Sequence, residues 1–462
     1  MKVGIILTTY NRPGLLRECL DSLRLAMIPK DMVLVVDDCS TELETKRLIE
    51  QSLYNYILKD KRAGIKDSLL KGFDYWFRIE KADLVINLDG DAQVSNNFLP
   101  TILELKHRFP VNIVCGFNTT VLNRNPIISE HEDYFFKKYA SGINMCVTKS
   151  QFERYLLPAL NGPGNWDFEC SKLHEKDGKF VVVAKPSVVQ HLGIKESSMG
   201  HISAGNPPDV AEDFKPLHLP NVTLIGADCN HLDQLIAAAD ISCKNIRFGA
   251  VKLLSSAPSD DPRVIQIPPI KSKQEYNHFV IEKFADYVDT DYLLIIQGDG
   301  YVLNYKAWDQ RYFDYDVIGA VWYWYKDSHR VGNGGFSLRT KRLMEIVRDD
   351  PKFILKNQNS YDHVEDHNIC RIYREYLENT HGIRYAPEDL AEKFSVEYYK
   401  VPYPQNMYKG SFGFHGWLVN FNGPIRPQHI PVRPAANKEP KSNKNANRNN
   451  RVQRRSLPPF SS

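Results

Sequence analysis

Asp83-Leu-Val-Ile-Asn-Leu-Asp-Gly-Asp-Ala-Gln-Val-Ser-Asn96 and Asp291-Tyr-Leu-Leu-Ile-Ile-Gln-Gly-Asp-Gly-Tyr-Val-Leu-Asn304 share one pattern. Each is an apolar run that breaks at a glycine flanked by acids or amides, the reading of a buried parallel strand ending in a tight turn. In open α/β sheets, ligands bind outside the carboxyl ends of the strands. Asp89 and Asp91 in the first copy, and Gln297 and Asp299 in the second, therefore fall at the expected mouths of two related sites. Two carboxylates two residues apart on a turn form a hard-oxygen clamp, suited to Mg²⁺ or Mn²⁺ held jointly with phosphate oxygens.

Outward from the first copy, apolar runs and amphipathic stretches alternate. Val3–Thr8, Met32–Val36, Leu84–Leu88, Asn112–Gly116 and Phe180–Ala184 read as strands, and Pro13–Arg24 as a helix with proline in its first turn. The segment from Lys195 to Asn221 is rich in proline, glycine and serine and reads as a linker. A second series follows, with strands Val222–Gly226, Lys252–Ser255 and Tyr292–Ile296 and helices Leu232–Ala239 and Phe279–Val288. Such βαβ series argue for an α/β fold with mostly parallel sheets.

The chain has 462 residues, 42% hydrophobic and 25% charged, enough for two or three domains. Its net charge of +3 hides an asymmetry, because from Pro424 onward the tail carries nine Lys/Arg against one Glu. The body is mildly acidic, and the basic tail, rich in Asn and Pro, has the composition of disorder. The first strand begins almost at Met1 and no apolar run approaches the roughly 18 residues of a membrane helix. Eight scattered cysteines form no C-x-x-C pair. A soluble cytoplasmic protein with reduced thiols is expected.

Three loops are expected to share one sheet edge: Thr8-Thr9-Tyr10-Asn11-Arg12-Pro13, Asp37-Asp38-Cys39-Ser40 and Asp89-Gly90-Asp91. On these loops the chain resembles a family 2 glycosyltransferase of GT-A fold over residues 1–195. The resemblance implies a nucleotide-diphosphate sugar donor and a metal site of Asp89 and Asp91, with Asp89 also meeting the donor. It implies that Thr8 and Tyr10 line the nucleotide pocket and that Asp37 or Asp38 hydrogen-bonds the base. Lys61, Arg62 and Gly64 fall where the family contacts the nucleotide. Gly164-Asn-Trp-Asp-Phe-Glu169 matches the acidic pair that supplies the general base, although it reads Asp-x-Glu where many relatives have adjacent Glu-Asp. Asp167 is the expected base and Glu169 its alternate. His191 sits where several GT-A enzymes place a metal-ligating histidine.

The second half resembles the DUF5672 family, thought to be glycosyltransferase-like, over about residues 220–420. Ile318-Gly-Ala-Val-Trp322, Gly332-Asn-Gly-Gly-Phe-Ser-Leu-Arg339, Val364-Glu-Asp-His367 and Ser411-Phe-Gly-Phe-His-Gly416 carry this resemblance. Strand-end acid, acid pair and histidine recur in the order Asp91, Asp167, His191. By that order Asp366 is the expected base beside Glu365, and Asp299 with His415 are metal or diphosphate contacts. Gln297 and Gly334 face the donor. Gln297 removes one charge from the clamp, so either Asp299 and His415 suffice, or this half works without metal, or it is degenerate.

The expected organisation is two tandem GT-A-like domains, 1–195 and 221–423, a linker at 196–220 and a disordered basic tail at 424–462. The expected activity is an inverting, Mn²⁺- or Mg²⁺-dependent transferase acting on a glycan, protein or small-molecule acceptor, with a second transferase module. Two other classes fit the residues: one active transferase fused to a sugar-binding module, or a transferase acting on modified nucleic-acid bases held by the tail. A sugar-nucleotide pyrophosphorylase is disfavoured, because Thr8–Pro13 occupies the place of its glycine-rich loop. The sequence names neither sugar, base, acceptor nor oligomeric state.

Overall fold

The first four parallel strands are β1 (Val3–Thr9), β2 (Val33–Asp37), β3 (Asn55–Leu58) and β4 (Leu84–Asp89). Their apolar runs are continuous because alternate residues feed two cores: Ile5, Leu7, Val33 and Val35 enter one cluster, and Ile6, Leu34 and Val36 the other. Such two-sided burial is the mark of a parallel sheet covered on both faces. The computed structural model describes residues 1–119, 126–193, 210–355, 364–397 and 408–416, with the backbone of 418–420 and 423–425. The basic tail from 426 onward and the expected linker from 196 to 209 lie outside the described residues.

The first half continues with β5 (Ala92–Val94), β6 (Val114–Cys115), β7 (Ile127–Glu130), β8 (Tyr134–Lys137), β9 (Asn144–Thr148), β10 (Val181–Ala184) and β11 (Val189–His191). Nine strands form one sheet in the order β3-β2-β1-β4-β9-β6-β10-β8-β7, while β11 pairs with β5. Strand β9 runs antiparallel between β4 and β6.

The second half holds β12 (Leu217–Ala227), β13 (Ile246–Ser255), β14 (Val264–Gln266), β15 (Tyr292–Ile295), β16 (Gly300–Val302), β17 (Val317–Ile318), β18 (Ala320–Val321), β19 (Val331–Gly332), β20 (Ser337–Thr340), β21 (Ser395–Glu397) and β22 (Gly413–His415). Its main sheet runs β14-β13-β12-β15-β20-β17, the order of β3-β2-β1-β4-β9-β6 strand for strand. As β4 pairs antiparallel with β9, so β15 pairs antiparallel with β20. The hairpin after each acid turn is also met by a late strand: His191 on β11 faces Ala92, and His415 on β22 faces Gly300. The repeat seen in two turns is thus a repeat of whole α/β sheets, each with a mostly parallel core. Both sheets lie in one compact unit, Met1–Ile425.

Some elements differ from the sequence reading. Residues 210–220 are no slack tether. Ala211 and Phe214 join the first core, and β12 starts at Leu217, ahead of the expected Val222. Its pairing with β13 shifts register between Leu219 and Thr223, around Pro220, which has no N–H to donate. The helix expected at Phe279–Val288 begins earlier, at Lys273, because the Ser272 side chain caps it through the Glu275 N–H at 3.1 Å. Among the described residues no helix is long and apolar enough to cross a membrane. All eight cysteines are free thiols.

Candidate active site

Register brings the first constellation together. Thr8 is the Cα partner of Asp89 and Thr9 that of Asp37, so three strand ends open on one edge. Thr8 Oγ1 donates to Asp89 Oδ1 at 3.2 Å. Burial and then the neighbouring Asp91 charge push the Asp89 carboxyl well above its ordinary value. Burial also disfavours the Asp91 anion, but His191 and the Arg12 guanidinium outweigh it and hold that carboxyl below its ordinary value. Arg12 Nη1 lies 2.7 Å from Asp91 Oδ2, and His191 Nε2 lies 3.4 Å from the same oxygen. Asn11 and Arg12, both at positive φ, turn the chain into the helix Pro13–Leu25 and carry Arg12 to the acid turn. A Cβ at Gly193 would stand 2.2 Å from Asp91 Oδ2, so the chain after His191 closes tightly over the acid.

Asp167 belongs to the same rim. Asp89 N donates to Ile143 O at 3.2 Å, and the preceding Gly142 N donates to Asp167 Oδ2 at 3.1 Å. Burial raises the Asp167 pKa above its ordinary value. Phe168 beside it is exposed and packs on Tyr139 with centroids 4.8 Å apart. Glu169 instead pairs with Lys172 at 3.0 Å on the outer side of the helix Trp166–Lys176.

The second-strand acids depart from the expectation of a base contact. Asp37 is sealed at 0% exposure, its oxygens taken by the Ser40 hydroxyl and, at 2.8 Å, the Ser40 N–H. Asp38 accepts from Lys59 Nζ at 2.6 Å, Ala63 N at 2.9 Å and Gly64 N at 2.8 Å. Both carboxylates organise loops. The loop held by Asp38 sets the Arg62 guanidinium over the Tyr10 ring, 4.1 Å from its centroid. Gly64, at φ 84°, then starts the helix Ile65–Asp74.

In the second half Asp299, Asp366 and His415 gather as well. His415 Nε2 lies 3.8 Å from Asp299 Oδ1, and its Nδ1 lies 3.3 Å from Glu397 Oε1. A Cβ at Gly335 would meet His415 Nε2 at 2.1 Å, and one at Gly334 would meet Asp366 Oδ2 at 3.1 Å, so adjacent glycines seat the two side chains. Burial, then Glu365 and Glu397, push Asp366 up to about 7. Burial opposes charge on His415, but Glu397, Asp299 and Asp366 raise it to about 9. Two expected contacts are turned elsewhere. Glu365 is buried in a two-pronged ion pair with Arg339, at 2.6 and 3.1 Å, because an arginine with no exposed surface needs a carboxylate. Gln297 Nε2 donates to the Tyr276 hydroxyl at 2.9 Å. Among the described residues no group of three or more His, Cys, Asp or Glu is arranged to hold an ion unaided.

Residues 4–157 match the family described as glycosyl transferase family 2. Residues 263–415 match the family described as protein of unknown function DUF5672. Each match spans about a third of the chain, so its first half is similar to glycosyl transferase family 2 and its second half to the DUF5672 family. It is also similar to GalNAc-T7 with UDP, GalNAc and Mn²⁺, at 14% identity over 41% of this chain and 44% of that one, with a TM-score of 0.31. A second similar structure is the mannosyltransferase PcManGT from Pyrobaculum calidifontis with GDP-Man and Mn²⁺, at 20% identity, 40% and 56% coverage and a TM-score of 0.29. The matches thus span about half the length of those chains. No curated protein matches. The fold is mixed α/β with mostly parallel sheets, and the family 2 match spans both β1 and the acid turn Asp89–Asp91.

Sequence reasoning missed four residues around these sites. In the family 2 segment they are Arg12 on Asp91 and Lys59 under Asp38. Arg12 stood inside the quoted first loop, but only the backbone turn tells where its guanidinium goes. In the DUF5672 segment they are Glu397 and Tyr276, which no glycine or paired acid flags.

Proposed function

We propose that the chain transfers a sugar from a nucleoside-diphosphate sugar to an acceptor hydroxyl with inversion, at a metal-dependent site in a module spanning 1–195. A second transferase module begins at β12, from Leu217, and a basic extension at 424–462 follows it in sequence. The observation that carries this reading is the convergence of Asp91, His191 and Arg12 on one oxygen at the sheet edge, with Asp167 on the adjoining backbone. Asp89, Asp91 and His191 would hold a Mn²⁺ or Mg²⁺ ion together with the diphosphate: His191 already meets Asp91, and the neighbouring Asp89 is a buried hard-oxygen donor. Bound there, the ion supplies a Lewis acid that balances charge on the departing diphosphate.

The chain's own groups do the rest. Thr8, Tyr10 and the Arg62–Gly64 loop, held by Asp38, flank the nucleotide. Arg12 exchanges Asp91 for diphosphate oxygens, a charge-assisted contact. Phe168 and Tyr139 offer an aromatic face to the acceptor sugar. Asp167 takes the acceptor's proton as the new C1–O bond forms and the C1–O bond to the diphosphate breaks, a single displacement that inverts the centre. Eight free thiols suit a reducing cytoplasm.

The test is a panel of UDP- and GDP-sugars with Mn²⁺, read as nucleoside diphosphate release. Release that needs an acceptor, stops with chelator and stops in Asp91→Ala is expected. Turnover indifferent to both chelator and Asp91→Ala sinks the metal assignment. Because Gln297 is bound to Tyr276, the competing reading is a sugar-binding second module; activity that vanishes entirely on disabling the first site favours it.

A further inference from the structure

The charge missing at Gln297 reappears on another strand. Glu397 on β21 is the Cα partner of His415 on β22, whereas among the described residues β11 pairs with β5 and has no counterpart of β21 beside it. Glu397 Oε1 faces His415 Nδ1 at 3.3 Å, while Trp322 Nε1 donates to the other carboxylate oxygen and fixes its rotation. On the far side of the ring, Nε2 faces Asp299 Oδ1 at 3.8 Å, and Asp299 is exposed while the imidazole is largely covered. Gly335 closes on the ring so tightly that even a methyl group there would collide with it. The imidazole is therefore clamped, with Nδ1 engaged by a carboxylate and Nε2 turned to an open acid. A histidine whose one N–H is held by a carboxylate presents its other nitrogen as a ligand in a defined tautomer. Nε2 and the exposed Asp299 carboxylate thus face each other across a short gap, and Asp299 is free to turn toward an ion beside the ring.

We propose that Glu397 is a positioning residue for a second divalent-cation site, in which His415 Nε2 and the Asp299 carboxylate hold Mn²⁺ or Mg²⁺ brought in with a nucleoside diphosphate. The carboxylate absent from the turn is replaced by one acting behind the histidine. This inference rests on the reading of 221–423 as a second transferase module.

The experiment uses the full chain carrying Asp91→Ala, so that the first site is disabled. Mn²⁺ binding is followed by electron paramagnetic resonance, alone and with UDP or GDP. One ion per chain is expected, tightened by the diphosphate. Adding Glu397→Gln should weaken Mn²⁺ about 10–100-fold, the usual effect of removing such a partner, and Glu397→Asp should recover part of it. Circular dichroism of both variants separates lost orientation from lost fold, and ¹⁵N shifts of His415 report its tautomer with the ion bound. Unchanged Mn²⁺ affinity in a folded Glu397→Gln chain overturns the proposal. Diphosphate binding indifferent to Mn²⁺ also overturns it while leaving the transferase reading standing. If neither diphosphate binds, the transferase reading of this module fails, and the Mn²⁺ titration with Glu397→Gln still decides the cation site.

Discussion

Carboxylates do different jobs here, and their partners decide which. Asp167 hangs from a single backbone N–H of another loop, Gly142, keeps part of its surface open and has its pKa raised by burial. Asp167→Asn preserves size but removes basicity, so donor binding should persist while transfer falls about 10²–10⁴-fold. Calorimetry with the nucleotide beside a transfer assay checks both halves, and loss of nucleotide binding instead would assign Asp167 to the donor pocket. Glu365 sits beside Asp366 in sequence yet is sealed against Arg339. Glu365→Ala should leave a buried guanidinium without its counter-charge and cost about 3–5 kcal/mol of stability. A urea midpoint within error of the parent chain would show that Arg339 finds another partner. Asp91, Asp167, Asp299, Asp366 and the two histidines were legible as a set because the turn pattern recurs. Which carboxylate is open and which is spent was not legible, since that depends on Lys59, Ser40 and Arg339, which arrive from elsewhere in the fold.

At the scale of elements, strands predicted from apolar runs reappear with shifted ends, because two-sided burial writes itself into composition. Strands β9 and β20, which run antiparallel into the middle of their sheets, were not legible. Asn144–Thr148 carries the polar Asn144, whose Oδ1 accepts from Gly116 N at 2.7 Å and so stitches β9 to its neighbour's loop. Both strands end in a threonine that caps the next helix: Thr148 Oγ1 accepts from Gln151 N, and Thr340 Oγ1 from Leu343 N, at 3.3 and 3.2 Å. Thr148 does so within a full capping box. Thr148→Ala should therefore cost about 1 kcal/mol, and Thr340→Ala a similar amount. Thermal unfolding of the two variants tests whether the halves share this device energetically as well as in shape.

Across the whole molecule, the two halves meet along the segments that follow their acid turns. Gln93 Nε2 donates to the Tyr305 hydroxyl at 3.1 Å, Lys306 pairs with Glu18 at 2.7 Å, and Asn96 exchanges two hydrogen bonds with the backbone of His218, at 2.6 and 2.9 Å. This seam carries a buried histidine. Burial, then the Arg247 charge, lower His218 to about 4, and burial lowers His174 in the first core to about 4 as well. His174 Nε2 accepts from Ile113 N at 3.4 Å, a bond that only the unprotonated nitrogen can make. The unfolded chain protonates each imidazole near its ordinary value of about 6.5, whereas the folded chain does so only near 4. Between those values the unfolded state binds more protons, so stability is full above about pH 6.5 and falls as pH drops toward 4, by up to about 3 kcal/mol per histidine. Because one histidine lies in a core and the other at the seam, both halves should weaken together rather than one melting first. Urea midpoints measured from pH 7 to 4.5 should fall steadily, and His174→Gln should flatten part of that slope. A pH-independent midpoint over this range would mean that neither imidazole stays neutral in the folded chain.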